Sequence, residues 1–180
     1  VSLPVVIVDT REKKPRTHLE QCELCTYKRH GLSVGDYSLD CFCEVVPGKK
    51  LLKPTFAAEW KDPSDYLGSM HGVKRVKGEW VENIKREKEK IWRAAEECGF
   101  SMPYFIGGNE TDLRRELNRA HWKRQRITWD DVVEQMAWFR ARGIQIITSA
   151  SEFHAERNML ELFLARLEKY GPAPARKESK

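Results

Sequence analysis

Glu59-Trp60-Lys61 sets an acid and an amine two residues apart. On a strand such residues share a face, so Glu59 and Lys61 should point together and Trp60 the opposite way. Asp36, just after Gly35, opens another strand-like segment expected to pair nearby. Two carboxylates beside an ammonium suit phosphodiester hydrolysis, which needs a cation to polarise the phosphate and to generate hydroxide at neutral pH. Mg²⁺ prefers carboxylate oxygens and keeps several waters, so Asp36 and Glu59 are the expected ligands. Lys61 would orient the attacking water or stabilise a pentavalent phosphate. Metal and lysine also invert the repulsion that two acids exert on a nucleic acid. The triplet alone carries little weight in a chain with 27 acidic and 32 basic residues. Its company strengthens it: Asp9, Arg11 and Glu12 close an earlier apolar run, and Asp65 follows where a helix should start.

The elements that must position these residues can be read from period and punctuation. Residues 3–9 form an apolar run that opens onto a polar edge, as a buried strand does. Residues 13–16 read as a loop, and residues 24–29, 35–46 and 55–61 as further strands. Turns are expected at His30-Gly31 and Pro47-Gly48-Lys49-Lys50, and Pro63 ends the last strand. The four strands predict a β-meander. Helical spacing follows over residues 79–98, with Trp80, Ile84, Ile91, Ala95 and Cys98 on one face and Gly99 as the stop. Residues 103–107 predict a strand, and residues 111–121 a helix capped by Thr111 or Asn109. Residues 129–142 predict a helix with Val132, Val133, Met136 and Phe139 inward, ended by Gly143. A strand over residues 144–148 and a Ser151-capped helix bearing Met159, Leu160, Phe163, Leu164 and Leu167 complete the pattern. The order implies a mixed α/β domain over residues 1–170, helices on both sheet faces, and a disordered tail over residues 171–180.

The net charge of +5 says less than its distribution. Arg114, Arg115, Arg119, Lys123, Arg124 and Arg126 cluster with Glu116 as the only acid between them, and Lys74, Arg75 and Lys77 have none. Such runs can neutralise phosphates and release counterions, or can simply be solvated surface. Trp122 and Trp129 flank the first run and could stack on unpaired bases, although core packing suits Trp129 better. The five histidines are scattered and read as surface residues. Cys22 and Cys25 form a CxxC, Cys41 and Cys43 a CxC. A zinc site is conceivable, but in a strand Cys22 and Cys25 would face opposite ways, which favours small core residues. No apolar run spans a bilayer and no secretory signal is evident, so the expectation is a cytosolic, nuclear or nucleoid-associated protein without a membrane partner. No phosphate-cradling loop points to ATP.

Val8-Asp9-Thr10-Arg11-Glu12 resembles the V-D-x-R-E segment that opens the nuclease domain of the XPF/Hef structure-specific endonucleases. Leu32-Ser33-Val34-Gly35-Asp36-Tyr37 is similar to that family's L-x-V-G-D-Y segment, and Glu59-Trp60-Lys61 through Asp65 to Ser69 to its E-R-K-x-x-x-D-L-x-x-S motif. Arg142-Gly143-Ile144-Gln145-Ile146-Ile147 and the helix after it are similar to the family's closing elements, so the likeness spans about residues 3–168. The resemblance implies a restriction-endonuclease-like fold, a mixed central sheet flanked by helices. It implies Mg²⁺- or Mn²⁺-dependent cleavage of DNA, often branched, flap or fork DNA, leaving a 5′-phosphate. It also implies homo- or heterodimerisation through this domain. By motif position, Asp9, Arg11, Glu12, Asp36, Glu59, Lys61 and Asp65 take the active-site roles, with Asp9 or Glu12 assisting Asp36 and Glu59 on the metal. Lys74, Arg75, Lys77, Arg119, Lys123, Arg124 and Arg126 are the expected DNA contacts.

This sequence departs from the family at Trp60, where an arginine is usual, and at His71-Gly72-Val73-Lys74-Arg75, which replaces a D/N-G-R stretch. No helix-hairpin-helix module follows within these residues, and the basic segment 114–126 is its expected substitute. Two other readings compete: a nuclease-like module that binds DNA or a partner without cutting, and an RNA nuclease.

Overall fold

The computed structural model describes residues 3–13, 17–76, 79–119 and 126–172. Strand β1 (Val5–Val8) is four β-branched residues and lies at the centre of one sheet. Val6 and Val8 face the main core, while Ile7 joins Leu32, Cys43 and Leu52 on the opposite face. Helix α1 (Thr17–Gln21) then crosses to β2 (Thr26–Arg29), which pairs parallel to β1. Strand β3 (Tyr37–Leu39) pairs antiparallel on the other side, Val8 opposite Tyr37.

The expected meander is therefore corrected. Parallel neighbours need a crossover connection, and α1 is part of it, with Leu19 buried beneath it. Cys22 follows the end of α1 rather than lying within a strand, and all four residues of β2 are exposed at the sheet edge. Burial pushes the Cys25 thiol up to about 12, and among the described residues no group of three or more His, Cys, Asp or Glu is placed to hold a metal ion.

The long third strand is also broken. A 3-10 turn (Asp40–Phe42) separates β3 from β4 (Cys43–Val45), which pairs with β5 (Leu52–Pro54). Phe42 and Phe56 meet edge to face in the core at 6.3 Å, and that contact holds the bend. Strand β6 (Glu59–Lys61) follows, then helix α2 (Pro63–His71), capped by the Asp62 carboxylate with proline in its first turn.

The helix expected from residue 79 starts later. Strands β7 (Val73–Val76) and β8 (Glu79–Glu82) form an antiparallel hairpin, and helix α3 (Asn83–Glu96) begins only after it. Strand β9 (Tyr104–Ile106) pairs parallel with β6 on one side and with β10 (Ile146–Thr148) on the other. A bridge between Tyr37 and Ala58 joins the two three-stranded sheets into the order β2-β1-β3-β6-β9-β10.

Helices α4 (Glu110–Leu117) and α5 (Trp129–Arg140) each open on a reciprocal capping box, Asn109 with Asp112 and Thr128 with Asp131. Val132, Met136 and Phe139 of α5 are buried as expected, but Val133 is 45% exposed and does not belong to the inward face. Helix α6 (Glu152–Tyr170) is capped by Ser151 and buries Met159, Leu160 and Phe163. Among the described residues no helix is long and apolar enough to cross a membrane.

Candidate active site

The site sits where the two sheets meet. Gly35 adopts φ +78°, a left-handed backbone that L-residues resist. The kink delivers Asp36 to the junction: its N–H donates to the Ala58 carbonyl at 2.8 Å, and its own carbonyl accepts from Asp9 N at 2.8 Å. A Cβ at Gly35 would lie 2.7 Å from Ala57 Cβ and 3.2 Å from the Ala58 carbonyl oxygen. Gly35→Ala should therefore cost about 3 kcal/mol, from left-handed strain plus overpacking. A melting curve within a degree of the unsubstituted protein would refute that.

Strand β6 lies between the Asp36 segment and β9, with Glu59 opposite Tyr104 and Lys61 opposite Ile106. Glu59 and Lys61 share a face as the strand period requires, and Lys61 Nζ is 2.6 Å from Glu59 Oε1. Trp60 points the other way into the core, its ring against the backbone at Gly107. The Trp60 N–H donates to Asp36 Oδ2 at 3.0 Å, so the strand that carries Glu59 also orients Asp36.

Helix α3 adds two residues that the motif analysis missed. Lys90 reaches the same Glu59 oxygen as Lys61. Fully buried Glu87 lies 3.5 Å from Lys90 Nζ and accepts from the Tyr104 hydroxyl at 3.1 Å. A signal existed: Glu87 stands on the apolar stripe of Ile84, Ile91 and Ala94, where a carboxylate needs a partner. Glu59 Oε2 is buried and accepts no hydrogen bond among the described residues.

Burial and the neighbouring Glu59 push the Asp36 carboxyl up, to about 7. Burial also opposes ionisation of Glu59, but Lys61 and Lys90 more than offset it and hold that carboxyl below its usual value. Burial would depress Lys61, yet Glu59, Glu87 and Asp36 raise it, so it stays an ammonium. The two carboxylates therefore sit close enough to repel each other, in a pocket whose cations favour Glu59.

Asp9 is otherwise occupied. Its carboxylate accepts from Arg11 N at 2.7 Å, Arg11 Nε at 2.8 Å, Arg11 Nη2 at 2.8 Å and Leu32 N at 2.7 Å. Four such bonds use its lone-pair directions, which argues against the expected part in metal binding. Arg11 is clamped by this fork and by the Leu32 carbonyl, and the charges of Asp36 and Glu59 raise its pKa further. Glu12 is half-buried beside the same loop, and its carbonyl accepts from Arg29. Asp65 is exposed in the first turn of α2, its N–H on Asp62 Oδ1 at 2.7 Å.

The expected DNA contacts fare unevenly. Lys74 and Arg75 lie on β7, while Lys77, Lys123 and Arg124 fall outside the described residues. Arg114, Arg115 and Arg119 pair with Glu110, Asp112 and Glu116 at 2.7, 3.0 and 3.0 Å. Helical i,i+3 and i,i+4 spacing thus brings acids to a run that looked almost purely basic in sequence. Arg114 also covers the Trp129 ring at 4.0 Å, so that tryptophan packs instead of offering a free face. Arg126 is exposed, with φ +58°.

A mixed sheet that brings Asp36, Glu59 and Lys61 together from adjoining strands, flanked by helices, defines an α/β fold of the restriction-endonuclease-like kind. Among solved structures it is similar to XPF from Aeropyrum pernix. The TM-score is 0.58 for that protein in complex with DNA and 0.54 for XPF without it, at 19% identity in both. The alignments cover 92% and 93% of this chain and 66% of each XPF chain, just under two thirds of their length. The fold is thus that of the XPF nuclease. No protein-family model matches the sequence, and no curated protein does.

Proposed function

We propose that this chain is a divalent-metal-dependent DNA endonuclease. The observation that carries the reading is the convergence of Asp36, Glu59 and Lys61 on one face of adjoining strands, with Glu59 Oε2 buried and unsatisfied. Among the described residues no group of three or more His, Cys, Asp or Glu converges as a ligand set. Two carboxylates are nonetheless enough for Mg²⁺, which keeps several waters of its own. The orphaned Glu59 oxygen and the mutual repulsion of Asp36 and Glu59 fit a cation held between them; Mn²⁺ should substitute.

When bound, the ion supplies phosphate polarisation and a water of lowered pKa. Asp36, fixed by the Trp60 N–H, and Glu59 hold it. Lys61, charged and pinned beside them, aims an N–H at the oxygen on which negative charge develops. Arg11, clamped by Asp9, keeps a guanidinium facing the same acids and presents it to the phosphate. Lys90 and Glu87 hold Glu59 in place from α3. A 5′-phosphate product and a preference for branched DNA follow from the motif likeness alone; the structure of Aeropyrum pernix XPF in complex with DNA supports DNA as the ligand. The same likeness supports dimerisation through this domain.

Cleavage of flap, fork and plain duplex DNA with Mg²⁺, Mn²⁺ or EDTA tests the reading. Asp36→Asn should abolish cleavage and yet stabilise the fold at neutral pH. A carboxyl raised to about 7 in the folded state and ionising near 3.8 when unfolded loses stability as pH rises between those values. The substitution removes that cost, so the melting temperature should rise at pH 8 by about 2–4 °C per kcal/mol relieved, and little at pH 4. Equal cleavage by Asp36→Asn and the unsubstituted protein would end the assignment.

One observation favours a non-cutting module instead. Both Lys61 and Lys90 sit on a single Glu59 oxygen, a neutralised network that needs no metal. DNA binding without cleavage under either metal would select that reading.

A further inference from the structure

The motif acids account for one end of a surface that continues beyond them. Between α3 and the turn joining β4 to β5 runs a cleft of about 410 Å³. Lys49, Lys50 and Lys53 line one wall, and Arg93 and Glu97 the other, so four cations face one acid. Unlike the arginines of α4, none of these four is ion-paired among the described residues.

The cleft connects to the site along both walls. On α3, Arg93 follows Lys90 by three residues, on the same side and about 4.5 Å further along the axis. On the other wall, Ser33 follows Leu32, whose N–H and carbonyl hold Asp9 and Arg11. Ser33 N donates to the Leu52 carbonyl at 2.8 Å, and Leu52 N to the Gly31 carbonyl at 2.8 Å, which fixes the lysine-bearing hairpin against the Arg11 loop. Cys98 also lines the cleft, close enough to Lys53 and Arg93 to feel both charges. Leu51, 43% exposed, adds an apolar surface among the lysines.

We propose that this cleft is a DNA track: it takes the sugar-phosphate backbone of the strand that leads to the scissile phosphate. The inference deepens the nuclease reading and rests on it for the direction of the strand. Lys49, Lys50, Lys53 and Arg93 contact successive phosphates as point charges, and Leu51 packs against sugar or base. A backbone track of this composition carries little sequence information, as suits an enzyme that selects DNA by shape. It also moves the main phosphate contacts away from the α4 segment, whose described arginines are already paired.

The test is equilibrium binding of a fluorescein-labelled fork by the full chain in EDTA, so that no cleavage occurs, across a salt series. Neutralising Lys49→Gln, Lys50→Gln, Lys53→Gln and Arg93→Gln together should weaken binding by about 30–100-fold and flatten the log–log salt slope by about 3–4, near 0.9 per lost phosphate contact. The exposed pair Lys49→Gln/Lys50→Gln alone should flatten it by about 1.5–2. That double variant keeps the test valid if the fourfold one melts. Arg157→Gln/Lys169→Gln on α6 removes the same charge elsewhere and should change affinity less than about threefold. Alkylation of Cys98, followed by mass spectrometry, should slow when the fork is bound. Unchanged affinity and slope in the folded double and fourfold variants would overturn the track. Cleavage by the unsubstituted protein with Mg²⁺ is scored separately: its absence removes the nuclease reading without altering the binding result.

Discussion

On the proposed function, Lys61→Ala should lower DNA cleavage by about 10²–10³-fold at saturating DNA, the loss typical when one donor to a developing anion is removed. Glu59, Glu87 and Asp36 surround this amine and raise its pKa, so it is an ammonium throughout the working range. In the proposed reaction it would therefore serve as a charge and a donor rather than as a base that takes a proton from water. The residual activity of Lys61→Ala should keep the pH profile of the unsubstituted protein, because the group removed does not titrate there. Folding should suffer less, since Lys90 still holds Glu59 Oε1. Single-turnover cleavage with a melting curve separates the two effects. Full activity in Lys61→Ala together with a large loss in Lys90→Ala would assign the role to Lys90 instead.

Glu59→Gln should both silence the site and weaken the fold by about 3 kcal/mol, the low end of the cost of breaking a buried ion pair. The low end applies because two effects oppose. Glutamine leaves Lys61, whose side chain is only 10% exposed, without its carboxylate, and deprives Lys90 of its shorter contact. It also ends the repulsion that raises Asp36, which returns part of the loss. The pH dependence carries the signature. A carboxyl held below its usual value stabilises the fold above the unfolded pKa of about 4.5, and that contribution is lost as pH falls through the folded value. The cost of Glu59→Gln should accordingly be largest at neutral pH and shrink on acidification. Asp36→Asn should show the opposite sign over the same range. Parallel melting curves for the two variants from pH 4 to pH 8 would contradict this assignment of charges.

The opposed signs would follow from how the site is built. Glu59 is stabilised in advance by two lysines, whereas Asp36 is held at an energetic cost by backbone bonds to Ala58, Asp9 and Trp60. A divalent cation bound as proposed would relieve that cost, so its addition should raise the melting temperature of the unsubstituted protein through linkage, and should do so far less in Asp36→Asn.

Much of this was legible in the chain, and for local reasons. The facing of Glu59 and Lys61, and the turning of Trp60 into the core, follow from a period of two along a strand. The caps at Asn109 and Ser151 and the stops at Gly99 and Gly143 follow from backbone groups that must be satisfied within a turn. That Gly35 fills a position closed to other residues emerged only from its backbone and neighbours in the fold.

What sequence could not decide depends on pairing across distance. Whether β2 runs with or against β1 is set by the α1 crossover, and the apolar pattern of a strand is the same in either direction. The β7–β8 hairpin displaced a helix start because strand pairing overrode helical spacing at Glu79 and Trp80. Ion pairs took up Arg114, Arg115 and Arg119 of a basic run, and a cationic cleft assembled from Lys49, Lys50 and Lys53 with Arg93, some forty residues away in the chain. The strand period thus determined the face that Glu59 and Lys61 share, and the motif resemblance joined Asp36 to them. Only the tertiary structure withdrew Asp9 into its clamp on Arg11 and brought Lys90 and Glu87 to Glu59. The reason is that a buried charge is governed by whichever groups packing places within reach, and packing joins residues that sequence keeps far apart.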